Sequence, residues 1–174
     1  MGKRKNTENV GELYESSKNK KNYKGFYQIV LKRLIDILLC IIILPIVLLI
    51  TIPIAIAIKI EDGGPIFYKS RRIGKGFKEF NMLKFRSMKV NAPDIRNDDG
   101  STYNSQNDSR VTRIGRFIRE TSLDELPQVF NIFASQMSII GPRPALWNQD
   151  DLIAERDKYG ANAVKPGLTG WAQI

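Results

Sequence analysis

Residues 37–58 read ILLCIIILPIVLLITIPIAIAI, 22 positions without a formal charge and mostly Ile and Leu. As a straight helix they would reach about 33 Å, enough to cross the hydrocarbon core of a bilayer. A buried helix of a water-soluble domain is a poor alternative, because nothing polar marks a solvent-facing side. The stretch therefore predicts a membrane helix. Lys18, Lys20, Lys21, Lys24, Lys32 and Arg33 precede it, and Lys59, Lys69, Arg71, Arg72, Lys75 and Lys78 follow it. Positive charge marks the cytoplasmic side of a membrane, and here both flanks carry it. Pro45 and Pro53 each delete a helix hydrogen bond and push the helix to bend. Two basic flanks and a bent middle suit a helix that dips into one leaflet and returns; a conventional span is the alternative. Asp36 would cost about 2.5–3.5 kcal/mol at mid-bilayer, so it is expected near the headgroups, with Lys32 or Arg33 as partner.

On the N-terminal side, residues 1–24 are rich in Lys, Asn, Glu and Ser and carry few large apolar side chains. They cannot bury enough surface to offset their ordering entropy, and a flexible basic tail is expected. The 174 residues allow one modest domain plus an appendage. Lys and Arg number 27 against 18 Asp and Glu, a formal charge of +9 that favours nucleic acid, acidic lipid or phosphorylated substrates. Histidine is absent. Acid, base and metal-ligand roles therefore fall to carboxylates, Lys, Tyr, Cys or water, and zinc chemistry is disfavoured. Cys40 is the single cysteine, which excludes an internal disulfide and fits a reducing, cytosol-facing body.

On the C-terminal side, Glu61-Asp62-Gly63-Gly64-Pro65 breaks the helix. Ile66-Phe67-Tyr68 and Phe77 to Phe85 read as two short strands around Gly74-Lys75-Gly76, a hairpin. Residues 91–109 are rich in Asn, Asp and Ser and read as a loop. Val111, Ile114 and Ile118 share one helical face, with Arg110, Arg113, Arg116 and Arg119 interleaved. That pattern suits an ordinary amphipathic surface helix and equally a helix lying on anionic lipid; the adjacent apolar run favours lipid.

Thr121 to Gln128 places two adjacent carboxylates, Asp124 and Glu125, beside a proline at an expected helix start. Ser122 and Glu125 have capping-box spacing, and for these residues taken alone capping outweighs catalysis. Chemically, a helix N-terminus suits phosphate, and a carboxylate there is expected to have a lowered pKa and stay ionised. One carboxylate could attack phosphorus while its neighbour holds a divalent metal. Gly141-Pro142-Arg143-Pro144 fixes Arg143 between rigid residues, either as an exposed turn or as a bidentate phosphate clamp. Lys165-Pro166-Gly167-Leu168-Thr169-Gly170-Trp171 is a glycine-rich turn that could cradle a nucleotide or merely pack a loop. Strand alternation would put Lys84 and Arg86 on one face.

Taken in order, Lys32 to Asp36, Lys84 to Met88, Arg110 to Arg116, Ser122 to Gln128, Met137 to Pro144 and Lys165 to Gln173 form a series of six motifs. The series resembles the bacterial sugar transferase family, the small monotopic phosphoglycosyl transferases, over residues 29–174. The resemblance implies an α/β chain of α+β type. Its parts are a flexible tail (1–24), a re-entrant membrane helix (25–60) and a small, mainly helical cytosolic catalytic domain (61–174) with a short β-hairpin and interfacial amphipathic helices. It implies that Asp124 is the nucleophile and that Glu125 helps hold Mg²⁺. Lys84, Arg119 and Arg143 match cations that contact phosphate, and Lys165, Gly167, Thr169 and Gln173 fall in a loop near the nucleotide; Arg86 joins them as a substrate-binding candidate.

By the same resemblance, a sugar phosphate passes from a UDP-sugar to undecaprenyl phosphate through an aspartyl intermediate, releasing UMP. That step starts a surface polysaccharide or glycan at the cytoplasmic face of a bacterial inner membrane, on an anionic leaflet. Two departures stand out. Relatives often bend the membrane helix at a Ser-Pro pair, where this chain has Leu49-Ile50 with Pro45 and Pro53 to either side. Relatives also continue past the position of Ile174, so a domain truncated at its C-terminus is expected. The competing reading is a non-catalytic basic adaptor for acidic lipid or nucleic acid, which has no need of an Asp-Glu pair.

Overall fold

The computed structural model describes residues 30–97, 103, 105 and 108–170. The tail at 1–24 and Gln173 lie outside the described residues. The apolar stretch forms one helix, α1 (Lys32–Asp62), which runs through both Pro45 and Pro53. In an apolar setting a helix is the conformation that satisfies its own backbone, which outweighs the modest helix propensity of so many isoleucines. Gly63 ends it in the left-handed region (φ 68°), its N–H donating to Lys59 O at 3.0 Å. Glycine reaches that conformation without Cβ strain.

α1 has two apolar faces with different destinations. Asp36, Cys40, Val47, Ile54 and Ile58 are buried and follow one another at steps of four and seven, a single stripe. Leu38, Ile42, Ile46, Leu49, Ile52 and Ile60 face outward. The stripe feeds both of the larger cores. Cys40 and Val47 pack with Phe80, Met82, Val129, Ile132 and Met137, while Ile54 and Ile58 pack with Phe85 and Ile118.

The expected hairpin is present, with a longer first strand. β1 (Phe67–Ile73) pairs antiparallel with β2 (Glu79–Phe85), in the register Arg72↔Phe80, Ser70↔Met82, Tyr68↔Lys84. A 3-10 turn at Lys75–Phe77 closes it. The alternation that buries Phe80 and Met82 turns Lys84 inward as well. Asn131 completes the other edge of β2: its Oδ1 accepts from Leu83 N and its Nδ2 donates to Asn81 O, each at 2.8 Å.

α2 (Arg113–Glu120) follows, capped by Thr112, whose hydroxyl accepts from Gly115 N at 2.9 Å. Its apolar face packs on protein. Ile118 is fully buried, with Ile114 beside it, against Ile54, Ile58 and Phe85, so protein contacts satisfy the face that the sequence reading gave to the membrane. Arg110 also leaves the interleaved arginine series: it is buried and forms a bidentate pair with Asp108. A 3-10 turn (Leu123–Glu125) leads to α3 (Gln128–Phe133). β3 (Ser138–Ile140), α4 (Asp150–Lys158) and β4 (Gly167–Thr169) complete the fold, β3 and β4 pairing in parallel.

Both ends of α1 are tied to this domain. Asp36 accepts from Ser138 Oγ at 2.8 Å and Ile139 N at 3.0 Å, rather than from Lys32 or Arg33. Those two cations instead reach backbone carbonyls, Lys32 to Ile140 O and Arg33 to Ile132 O and Phe133 O at the end of α3. The last carbonyls of a helix lack intrahelical donors, which makes them good acceptors for Arg33. At the far end Glu61 caps α2 through Arg113 N (2.6 Å) and Ile114 N (2.9 Å). Asp62 accepts from Arg86 Nη1 (2.8 Å) and Val90 N (2.9 Å).

Candidate active site

Asp124 and Glu125 sit on the 3-10 turn between two apolar anchors. Leu123 packs against the Ile54–Phe85–Ile118 core, and Leu126 touches both larger cores. The capping box that the spacing of Ser122 and Glu125 suggests is not formed. Ser122 is left-handed (φ 57°) and makes no side-chain cap, and α3 begins only at Gln128 behind a buried Pro127. The carboxylate of Glu125 is thereby free to take a cation.

That cation is Lys84. Its Nζ lies 2.6 Å from Glu125 Oε1 and 3.5 Å from Asp124 Oδ2, with all three side chains at most 22% exposed. Arg143 approaches from the loop after β3, its Nη2 at 3.5 Å from the same Glu125 oxygen. Arg119 donates through Nε to Ser87 Oγ at 2.8 Å, and its charge acts on Asp124. Partial burial makes each of these pairings stronger than it would be in water.

The two neighbouring carboxylates are driven apart in acidity. Burial pushes the Asp124 carboxyl above its ordinary value, and the Glu125 charge adds to it, against the lowering influence of Lys84 and Arg119. This reverses the expectation of a lowered pKa at a helix N-terminus, because one 3-10 turn offers little dipole and burial dominates. Burial also pushes Glu125 up, but Lys84, Arg143 and a hydrogen bond from Gln128 outweigh it and hold that carboxyl below its ordinary value. A pair with divergent acidity is one that divides its roles. Asp124 is the more basic oxygen and Glu125 the more firmly ionised one.

A cleft opens beside Glu125, lined by Arg72, Met82, Gln128, Arg143, Gly167 and Leu168 among others. Gly167 of this lining meets Gly141 backbone to backbone, and a Cβ on Gly141, Gly167 or Gly170 would collide with the main chain of this loop pair. Of the residues singled out from sequence, Lys84, Arg119 and Arg143 act on the Asp124–Glu125 pair, and Glu125, Arg143 and Gly167 line the cleft. Arg86 does not join them; β2 stops at Phe85, and Arg86 is drawn to Asp62 at the end of α1. Lys165 is half-buried, and burial, then the Arg33 charge, lowers its pKa; its other charged neighbours are Asp36, Lys75 and Lys32. Thr169 contributes a backbone carbonyl to Gly141 N. Arg72 was legible only as part of a basic flank, although the register that sends Lys84 inward sends Arg72 to the same face.

Among the described residues no cluster of three or more metal-ligating side chains occurs. The chemistry of the pair nevertheless fits Mg²⁺, which takes one or two carboxylates and fills its other positions with phosphate oxygens and water.

A profile of the bacterial sugar transferase family matches residues 27–174. A UDP-glucose:undecaprenyl-phosphate glucose-1-phosphate transferase of Xanthomonas campestris pv. campestris is 41% identical over 152 residues, covering 85% of this chain and 30% of its own length. One of the same description from Escherichia coli (strain K12) is 42% identical over 152 residues, covering 83% and 31%. A UDP-N-acetylgalactosamine-undecaprenyl-phosphate N-acetylgalactosaminephosphotransferase of Aeromonas hydrophila is 38% identical over 149 residues, covering 83% and 34%. The chain thus spans about a third of the length of these relatives. With the match covering every element that builds the Lys84–Asp124–Glu125 cluster, the chain belongs to the bacterial sugar transferase family.

Proposed function

We propose that this chain transfers a sugar 1-phosphate from a UDP-sugar to undecaprenyl phosphate, with Asp124 as the covalent acceptor. An oxygen of Asp124 attacks the β-phosphorus, the bond from that phosphorus to the bridging oxygen breaks, and the electron pair departs with UMP. The phosphate of undecaprenyl phosphate then attacks the same phosphorus, which frees the carboxylate and yields a lipid diphosphate sugar. Carboxylates are competent phosphoryl acceptors, and the reaction needs positioning and charge neutralisation more than proton transfer.

The observation that carries this reading is Lys84 Nζ lying between the two carboxylates, at 2.6 and 3.5 Å. Burial sharpens the basicity of Asp124, while the lysine keeps its charged form tolerable. Lys84, Arg119 and Arg143 supply N–H donors for phosphate oxygens. Glu125, the more firmly ionised partner, would hold Mg²⁺. When bound, the ion offsets negative charge on the diphosphate.

Membrane placement follows the same logic. The outward apolar face of α1 supports insertion into the bilayer. Asp36 at one end and Glu61 and Asp62 at the other bond to polar groups of one domain, which supports both ends lying on one side. The basic flanks favour the cytoplasmic side. A basic adaptor, the competing reading, gives no use to a shielded Lys-Asp-Glu cluster.

The test uses the chain in nanodiscs with undecaprenyl phosphate, Mg²⁺ and a panel of UDP-glucose, UDP-galactose and UDP-N-acetylgalactosamine. UMP should appear with at least one donor, and D124N should lower its release by a factor on the order of 10³ or more. Undiminished turnover in D124N would remove Asp124 from the nucleophile's role.

A further inference from the structure

Arg72 is a second guanidinium of the cleft, and none of the roles assigned above uses it. It lies on β1, on the inward face of the hairpin that also carries Lys84. Its Nε donates to Ser70 Oγ at 3.1 Å and its Nη1 to Pro144 O at 3.2 Å. The main chain beside it is held as well, Ile73 N donating to Ala145 O at 3.0 Å. The guanidinium is therefore fixed in orientation by the strand and by the loop that carries Arg143.

What it lacks, among the described residues, is a direct ion pair. Arg71, Arg86, Arg96 and Arg110 are each paired with a carboxylate, Glu79, Asp62, Asp94 and Asp108 respectively. Among the described residues no carboxylate pairs with Arg72, and no acceptor takes its Nη2 protons. Burial, and then the neighbouring Arg143 charge, lower its pKa to about 10 against the opposing pull of Tyr68 and Glu125, so it stays cationic at neutral pH with no carboxylate in direct contact. A half-buried, oriented cation with no anion in contact is costly unless a ligand completes it.

We infer that Arg72 binds the phosphate of the departing nucleoside monophosphate. This rests on reading the cleft as a UDP-sugar site. Arg72 lines the cleft together with Arg143 and with Glu125, the sequence neighbour of Asp124. When Asp124 attacks one phosphorus, the bridging oxygen receives the electron pair, and the second phosphate gains a negative charge as it leaves. A fixed fork of N–H donors matches two oxygens of that group. Arg72 is thus a substrate-binding residue whose contacts strengthen as the bond breaks.

The experiment measures UMP affinity by calorimetry on the whole chain in nanodiscs, with the KM for undecaprenyl phosphate followed in parallel. R72Q should weaken UMP binding about ten- to a hundredfold. It should lower kcat for UMP release more than it raises KM for the UDP-sugar, and leave the KM for undecaprenyl phosphate within about twofold. R72K keeps the charge without the fork and should lie between R72Q and wild type. S70A frees Nε from one anchor and should weaken UMP binding by a smaller factor than either. If R72Q fails to fold, R72K and S70A carry the comparison. Wild-type UMP affinity in folded Arg72 variants would overturn the assignment while leaving the transferase reading intact. No UMP binding by the wild-type chain would overturn both.

Discussion

At the scale of single residues, everything turns on one ammonium between two carboxylates. Lys84 stabilises ionised Glu125 at 2.6 Å and only partly offsets the burial of Asp124 at 3.5 Å. The Asp124 carboxyl is raised above the unfolded value of 3.8, so its folded form binds a proton more tightly than its unfolded form does. Ionised Asp124 therefore costs stability above its folded pKa, and that cost disappears as pH falls through it. Two outcomes are expected. D124N should be at least as thermally stable as wild type at pH 7 by calorimetry, although inactive; a clear loss of stability would contradict the burial argument. K84M removes the largest opposing charge, so the acid limb of the kcat/KM profile should shift to higher pH, with activity falling about 10² or more. An unmoved acid limb would show that the limb is not Asp124. The carboxylate pair was legible in sequence because adjacent Asp and Glu beside a proline are conspicuous. The direction of the Asp124 shift was not, since it depends on how far the fold buries the carboxyl.

At the scale of elements, α2 offers a direct check on which apolar face does what. Ile118 is fully buried against α1 and β2, while Phe117 is 52% exposed. I118A should destabilise the domain by about 2–5 kcal/mol in denaturant titration, and F117A should change stability by less than about 0.5 kcal/mol. Equal effects would mean that the two faces are not distinguished as the structure has them. The hairpin was readable because Gly74-Lys75-Gly76 punctuates two apolar runs and Phe80, Met82 and Lys84 alternate. The β3–β4 pair escaped, since three-residue strands show no period and their contact depends on Gly141 and Gly167 meeting backbone to backbone. The Ser122–Glu125 spacing misled for a related reason. A capping box needs extended backbone at its first residue, and Ser122 is left-handed because it also closes the end of α2.

At the scale of the whole molecule, α1 packs along the domain that holds the Lys84–Asp124–Glu125 cluster as one body rather than as a tether. That arrangement could not be read from residues 37–58, where both faces are apolar and composition does not distinguish protein neighbours from lipid ones. The six ordered motifs did carry the family, because each marks a point where backbone or charge is fixed. For topology, single cysteines introduced near Arg33 and near Lys59, in a C40S background, should both resist a membrane-impermeant thiol reagent applied outside the cell. Labelling of one flank from outside would establish a true span. The covalent step is reached most directly by intact-protein mass spectrometry, after the chain is quenched with UDP-sugar and Mg²⁺ but no lipid acceptor. A gain equal to one phosphosugar, mapping to the peptide that holds Asp124 and vanishing once undecaprenyl phosphate is added, is the expected result. Unmodified protein under conditions where lipid-linked product still accumulates would contradict it.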